Sequence, residues 1–168
     1  MWIVLILPFI FIINNFIYIM KSLNELFDHI SNKLDENKLY NFRYIVEQYS
    51  GDDWKKYVSF ADDTYKKNLV KRNDKLEILV ICWNKNQISG IHDHPPNGCI
   101  LKVLKGELEE HNYCSTNNNL KLLNVNLCKK NSIGYQEGKK GLHCIKNMNN
   151  KTVTLHIYSP PNYELSFY

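Results

Sequence analysis

Apolar residues recur at helical spacing in the early part of this chain. Five of them fall three or four residues apart and so share one helix face: Leu23, Leu26, Phe27, Ile30 and Leu34. The spacing predicts a helix over residues 22–36 and a second over 41–48. A Ser-Gly-Asp-Asp break then precedes a further helical turn over 54–60. The first third of the chain is therefore expected to be helical.

From residue 76 onward, short apolar runs alternate with turn residues. Eight runs have the length of strands: 76–83, 88–92, 99–105, 107–113, 121–128, 132–136, 143–146 and 152–158. Helices followed by short strands predict a mainly β fold, in which a helical cap covers a small β-barrel or sandwich. A length of 168 residues fits one domain. We divide it into a leader (1–19), a helical region (20–75) and the barrel (76–168).

The leader is apolar and carries no charge, but Asn14 and Asn15 interrupt it. It could be a short membrane anchor, a divergent signal sequence, or an upstream extension with translation starting at Met20. We favour the extension, because the amphipathic helix pattern begins directly after Met20.

Charge and cysteine content narrow the class of protein. The net charge is only +4, and the lysines are scattered in pairs among acids, which argues against a nucleic-acid partner. Five cysteines, an odd number without a C-x-x-C spacing, argue against a disulfide framework and a thiolate zinc cluster. A reducing, cytoplasmic location fits best, with membrane anchoring through residues 1–19 as the alternative.

His92 and His94 are the first candidates for chemistry. Residues at i and i+2 of a strand point to the same side, so these two imidazoles could bind one metal ion together. A third histidine on a later strand, His143, could complete a set of three neutral ligands with open coordination positions. Zinc, iron and manganese all remain open at this point.

The spacing His92-x-His94, four residues, Cys99, six residues, Gly106 resembles the first cupin motif in the form found in cysteine dioxygenases. Further segments resemble that family in the same order: Tyr65 to Val70, Cys82-Trp83, Ser89 to His94, Lys102 to Gly106, Gly141 to His143 and Leu155 to Pro161. The resemblance covers residues 47–161. It implies a cupin barrel and a monomer.

The resemblance also implies a reaction and its cofactor. One iron(II) ion per chain would be bound by His92, His94 and His143, and L-cysteine plus dioxygen would give cysteine sulfinic acid, as in cysteine catabolism towards hypotaurine and taurine. An ion with open positions can bring thiol and dioxygen together, which gives a large advantage in effective concentration.

Cys99 and Tyr158 have a special role by the same resemblance. From spacing alone they would be a buried thiol near a half-buried tyrosine. The resemblance implies that a thioether joins them, with the Tyr158 hydroxyl facing the iron. It makes His156 the residue that holds this hydroxyl, supported by Thr154 where the family commonly has serine. It also implies a cis peptide at Ser159-Pro160.

Substrate recognition is where the chain departs from the resemblance. Tyr65 matches a residue that binds the substrate carboxylate, but Lys67 stands where the cysteine-specific members usually have arginine. A lysine supplies charge without bidentate geometry, so we expect weaker recognition of the carboxylate. Lys66 or Arg72 could substitute.

Three classes of function remain. The first is a dioxygenase of L-cysteine, and the second is a dioxygenase of another small thiol such as 3-mercaptopropionate or cysteamine. The third is a non-catalytic cupin that senses metal or thiol. The complete set of histidines together with Cys99 and Tyr158 favours an enzyme.

Overall fold

A computed structural model describes residues 19–36, 38–116 and 119–168. The predicted leader covers residues 1–19. Of these, only Ile19 belongs to the described residues, so the leader prediction lies almost wholly outside them. In the described part, no helix is long and apolar enough to cross a membrane.

The helical region begins with α1 (Leu23–Lys33), which continues as a 3-10 turn over Leu34–Glu36. Ser22 caps it by accepting a hydrogen bond from the Glu25 backbone N–H at 3.1 Å. A second 3-10 turn (Leu39–Phe42) leads into α2 (Arg43–Glu47), and a third covers Asp53–Tyr57. The three predicted helical segments are thus present, with 3-10 geometry over much of their length.

Eight strands form two antiparallel sheets. They are β1 (Lys66–Arg72), β2 (Glu77–Trp83), β3 (Cys99–Lys105), β4 (Glu107–Thr116), β5 (Asn119–Lys129), β6 (Ile133–Gln136), β7 (Leu142–Lys146) and β8 (Thr152–Tyr158). One sheet has the order β1-β2-β8-β3-β6 and the other β5-β4-β7. The predicted mainly β fold with an N-terminal helical cap is confirmed.

Strand alternation divides the large sheet between two cores. Ile78 and Val80 of β2 pack with the helices, whereas Leu79, Ile81 and Trp83 face the barrel interior. In β8 the odd positions face the helices and the even positions the interior, which places Thr154, His156 and Tyr158 inside. Both faces of β2 and β8 are therefore buried.

Lys102 ties the helical cap to this sheet. Its side chain is only 2% exposed, and its ammonium group donates to the backbone carbonyls of Val46, Glu47 and Tyr49 at 2.6–3.1 Å. Three donors meet three acceptors, so the charge is fully hydrogen-bonded although it is buried.

Two strand predictions differ from the structure. Residues 88–92 form isolated bridges at Ile88 and His92 instead of a strand. Here the Ser89 hydroxyl accepts from the Ile145 backbone N–H at 2.8 Å, in place of a backbone carbonyl, and this interrupts the ladder. The prediction that His92 and His94 share a strand face was therefore wrong.

The other difference is β1, which lies before the barrel boundary predicted at residue 76 and was not predicted. It is an edge strand rich in lysine, and a register shift between Leu69 and Lys71 breaks its alternation. A period of two is hard to detect in such a sequence.

Gly106 turns the chain from β3 into β4. Its φ is +82°, and a Cβ atom there would lie 2.5 Å from Thr152 Oγ1. Glycine is required here by both backbone conformation and space. The Ser159-Pro160 peptide is cis, as predicted.

Candidate metal centre

Three buried imidazoles come together at one end of the barrel interior. The ligand atoms that His92, His94 and His143 can offer all lie within 4.8 Å of one another. His92 and His143 exchange two backbone hydrogen bonds, of 3.0 and 3.2 Å, so the loop that follows residue 90 is fixed to β7. The histidines that the sequence analysis selected are thus brought together without a shared strand.

The hydrogen bonds of the three rings define which nitrogen is free. Each Nδ1 lies 2.8 Å from an oxygen acceptor: Gly90 O for His92, Gly141 O for His94 and Glu110 Oε1 for His143. An acceptor at Nδ1 requires the proton there, which leaves each Nε2 with a lone pair. His94 Nε2 and His143 Nε2 face each other at 3.1 Å. Two lone pairs at this distance repel each other unless a cation lies between them, so the donor set fits a metal ion.

The electrostatics favour neutral ligands. Burial, and then the neighbouring His143, lower the pKa of His92 to about 4 and that of His94 to about 2. Neutral imidazole is the form that binds metals. No proton has to be displaced from either ring at neutral pH.

Glu110 is a site residue that the sequence analysis missed. Burial opposes its ionisation, but the hydrogen bond and charge of His143 outweigh that effect and lower the pKa of the carboxyl group. Gln136 donates a further, longer bond of 3.4 Å to the same oxygen. The strand alternation of β4 was a usable signal, because Glu110 shares the inward face with Leu108.

Cys99 and Tyr158 stand directly opposite each other in the β3–β8 ladder. Burial raises the pKa of the Cys99 thiol to about 12, although a hydrogen bond with Tyr158 opposes this rise. Burial, and then Cys99, raises the pKa of the Tyr158 phenol well above its usual value. Both groups are therefore protonated at neutral pH, and Tyr158 can donate a hydrogen bond.

A chain of polar contacts holds the Tyr158 hydroxyl. It lies 3.3 Å from His156 Nδ1, and His156 Nε2 lies 2.9 Å from Thr154 Oγ1. Trp83 Nε1 donates to the same Thr154 oxygen at 2.9 Å. The sequence analysis gave Trp83 no role in the site, whereas the structure makes it a hydrogen-bond donor in this chain of contacts.

Lys67 and Tyr158 line one cleft, together with residues 162–165. The Lys67 charge is near enough to the histidines to add to the effect of burial in lowering the pKa of His92 and His156. Desolvation lowers the pKa of Lys67 itself, although the residue is exposed at the surface of the barrel. Tyr65 stacks on Trp83 with ring centroids 4.4 Å apart.

The two suggested substitutes for Lys67 are already engaged. Arg72 lines the same cleft, but its Nη2 and Nε atoms bind one Glu77 oxygen at 2.6 and 2.7 Å. Lys66 donates to Ser59 Oγ at 2.8 Å. Among the described residues that line this cleft, Lys67 is thus the cation available to an anion. A larger cleft, of about 680 Å³, lies beside Tyr49 and Lys102, and none of the predicted site residues borders it.

The C-terminal residues lie against the loop that carries the ligands. Ser166 exchanges two hydrogen bonds with the buried Asp93, through its backbone N–H to Asp93 Oδ1 at 2.8 Å and its carbonyl to the Asp93 N–H at 3.2 Å. The Phe167 ring lies 6.1 Å from the His92 ring, centroid to centroid, and a Cβ on Gly90 would come within 2.7 Å of it. These contacts, which sequence reasoning missed, position the His92–His94 loop.

A double-layered antiparallel barrel with three convergent histidines defines the cupin class. The barrel is similar to a Klebsiella pneumoniae protein with a double-stranded β-helix domain (TM-score 0.53, 19% identity, 67% of this chain and 86% of that one). It is also similar to a cupin 2 conserved barrel domain protein from Leptotrichia buccalis (TM-score 0.50, 13% identity, 62% and 45%). At such identities the likeness shows the fold.

Sequence comparison gives the family. Residues 13–168 match the family cysteine dioxygenase type I. Cysteine dioxygenase type 1 of Danio rerio is 30% identical over 152 residues, which are 85% of this chain and 73% of that protein. The Homo sapiens protein of the same name is 32% identical over 135 residues, 76% and 68% of the two chains. The chain belongs to the cysteine dioxygenase type I family.

Proposed function

We propose that this protein is an iron-dependent thiol dioxygenase that converts L-cysteine and dioxygen into cysteine sulfinic acid. The observation that carries the proposal is the convergence of three buried histidines in a barrel whose interior also holds the facing pair Cys99 and Tyr158. Family membership supports the same reaction class.

His92, His94 and His143 would bind the iron. When bound, iron(II) supplies a Lewis acid for the thiolate and the electrons that make dioxygen reactive. Three neutral ligands leave the full positive charge of the ion for an anionic substrate. The chain contributes by holding the three rings in place through Gly90 O, Gly141 O and Glu110.

Lys67 and Tyr65 would orient the substrate. The Lys67 ammonium group offers a charge to the carboxylate of cysteine, and the Tyr65 hydroxyl can add one hydrogen bond. Holding the carboxylate fixes where the thiol and amine lie, and this orientation is an entropic advantage for the reaction.

The Tyr158 hydroxyl would act at the reacting atoms as a hydrogen-bond donor. Its raised pKa keeps the proton on the phenol at neutral pH. His156, Thr154 and Trp83 fix its direction through the chain of contacts described above. This is the reason that His156 and Thr154, neither of which is a proposed ligand, belong to the proposed site.

We further propose that Cys99 and Tyr158 become joined by a thioether. The S–H bond of Cys99 and one ring C–H bond of Tyr158 would break as the C–S bond forms, a two-electron oxidation in which dioxygen takes up both hydrogens as hydrogen peroxide. The facing positions in the β3–β8 ladder and the thiol–phenol hydrogen bond support this assignment.

A dioxygenase of another small thiol is the second candidate. It is favoured by Lys67, which offers one ammonium group where a bidentate guanidinium would bind a carboxylate more specifically. Arg72 cannot supply a bidentate guanidinium group to the substrate while it is paired with Glu77. Substrates such as 3-mercaptopropionate or cysteamine would then compete with cysteine.

Oxygen consumption distinguishes these functions. The full-length chain is loaded anaerobically with iron(II) and given cysteine, 3-mercaptopropionate or cysteamine in separate reactions. Uptake that is fastest with cysteine, with sulfinate as the product, supports the first candidate. Faster uptake with one of the other thiols supports the second, and no uptake with any thiol would exclude both.

A further inference from the structure

Asp93 stands between two of the proposed metal ligands, His92 and His94, and it is completely buried. A carboxylate in the interior of a protein is costly unless hydrogen bonds and an opposite charge compensate for the water that it has lost. The sequence analysis gave Asp93 no role. Its burial beside the metal centre therefore requires a reason.

The contacts of the Asp93 carboxylate are incomplete. Oδ1 accepts a hydrogen bond from the Ser166 backbone N–H at 2.8 Å, but among the described residues the buried Oδ2 has no hydrogen-bond partner. The Tyr163 phenol lies nearby, and burial, followed by the charge and hydrogen bonding of Asp93, raises its pKa. Both neighbours are neutral donors. Within the part of the chain that the structure describes, no ion pair includes Asp93.

The charge of Asp93 acts on the ligand next to it. Burial and the neighbouring His143 lower the pKa of the His92 ring, and the negative charge of Asp93 opposes them. Such an effect requires the carboxylate and the ring to lie close together. The uncompensated charge therefore lies at the edge of the proposed metal centre.

Glu110 brings a second buried carboxylate to the same centre, where it accepts from His143 Nδ1 at 2.8 Å. The three imidazoles are neutral when they bind a metal and contribute no negative charge. A divalent ion at this place would therefore meet two negative charges that come from outside its own ligands. The positive Lys67 also acts on His92, but it lines the cleft in which the substrate carboxylate would face it.

We propose that Asp93 is a charge-compensating residue of the metal centre, which strengthens the binding of a divalent ion without touching it. With the ion bound, Asp93 and Glu110 together balance its two positive charges. Without the ion, the Asp93 charge destabilises the fold, because no described cation is paired with it. The inference rests on the proposed metal site and is independent of which thiol is oxidised.

A purely positional role of Asp93 makes different predictions. Its hydrogen bonds with Ser166 hold the ligand loop against the C-terminal residues, through the carboxylate and through the backbone. An asparagine at this position can accept from the Ser166 N–H with its amide oxygen and keeps the backbone bond, but it carries no charge. Asp93→Asn therefore separates the charge from the hydrogen bonds.

Metal titration of the full-length chain tests the proposal. Asp93→Asn should bind cobalt(II) and zinc(II) roughly 10- to 100-fold more weakly than the wild type. The absorption spectrum of bound cobalt(II) should not change, because the same three histidines bind it. The metal-free variant should resist urea at least as well as the metal-free wild type, since it buries no unpaired charge.

Asp53→Asn is the matched control. It neutralises a carboxylate that accepts from the Leu23 backbone N–H at 2.9 Å in the helical region, and it should keep the wild-type metal affinity. A titration in which both variants bind like the wild type would overturn the role of Asp93 and leave the metal centre intact.

Two further outcomes would also contradict the proposal. A weaker affinity of Asp93→Asn that comes with an altered cobalt spectrum, or with a less stable metal-free chain, would indicate a displaced loop and so a positional role. A wild-type chain that binds neither ion would refute the metal centre itself, and the proposed function with it.

Discussion

His143 donates from Nδ1 to the Glu110 carboxylate over 2.8 Å, whereas His92 and His94 donate to backbone carbonyls. One of the three rings is therefore held by a full negative charge. This contact fixes the orientation of the ring and the nitrogen that carries its proton. The metal affinity should depend on it.

Replacing Glu110 by glutamine should weaken metal binding by roughly 10- to 100-fold. The amide keeps the shape of the side chain but removes the charge that faces His143. Anaerobic calorimetric titration with iron(II) and cobalt(II) measures the affinity. The control is Glu109→Gln, which removes a carboxylate that contacts His111 instead. Equal affinities of the two variants would refute the role of Glu110.

Replacing Lys67 by arginine should lower the KM for cysteine several-fold and leave the KM for cysteamine unchanged. A guanidinium group can bind the cysteine carboxylate with two hydrogen bonds, and cysteamine has no carboxylate. Steady-state oxygen uptake gives both constants. Lys66→Arg is the matched control, because Lys66 contacts Ser59. A KM for cysteine that does not change would remove Lys67 from the substrate site.

The thioether can be measured by intact mass. After aerobic turnover with iron and cysteine, part of the protein should have a mass about two units below that of the reduced chain, since two hydrogens are lost. Cys99→Ser should abolish this species. Cys144→Ser, which changes another buried cysteine, should retain it. A deficit that persists in Cys99→Ser would point to another crosslink.

Thr154 should be sensitive to loss of its hydroxyl group and tolerant of loss of its methyl group. Thr154→Val leaves the Trp83 N–H and the His156 ring without their partner and should cost roughly 1–3 kcal/mol of the free energy of unfolding. Thr154→Ser retains the oxygen and should cost less. Chemical denaturation measures both variants, and oxygen uptake should follow the same order. The idea fails if serine and valine behave alike.

The metal-free chain should lose stability as the pH falls from about 6.5 towards about 4. In the unfolded chain His92 takes up a proton near pH 6.5, but in the folded chain it does so only near pH 4. Between these values the unfolded state binds more protons, so acid favours unfolding. His94, with its pKa lowered to about 2, extends the effect to lower pH. Urea denaturation of the metal-free chain across this range measures the slope, and a flat profile would contradict it.

The strands that the sequence predicted well are those with strong apolar content. Residues 152–158 and 99–105 were assigned with the observed bounds. The first strand alternates polar and apolar residues with a period of two, and the second is an almost continuous apolar run. Strand β1 was missed because it is a lysine-rich edge strand with a register shift. It therefore shows neither a continuous apolar run nor a regular period of two. Residues 88–92 were wrongly predicted to be a strand. The Ser89 hydroxyl, instead of a backbone carbonyl, accepts the hydrogen bond from the Ile145 N–H, and no local sequence pattern indicates this contact.

The candidate site likewise has features that the sequence predicted and features that only the tertiary structure showed. The sequence by itself determined the kinds of ligand present, since a spaced set of histidines with Cys99 and Tyr158 carries chemistry in its residue types. Only the tertiary structure decided that the three Nε2 atoms converge, that Glu110 holds His143, and that Glu77 occupies Arg72 and leaves Lys67 to face the cleft. The physical reason is that each of these facts depends on contacts between strands or loops far apart in the chain. Local sequence patterns fix the face of a strand, but not what lies across from it.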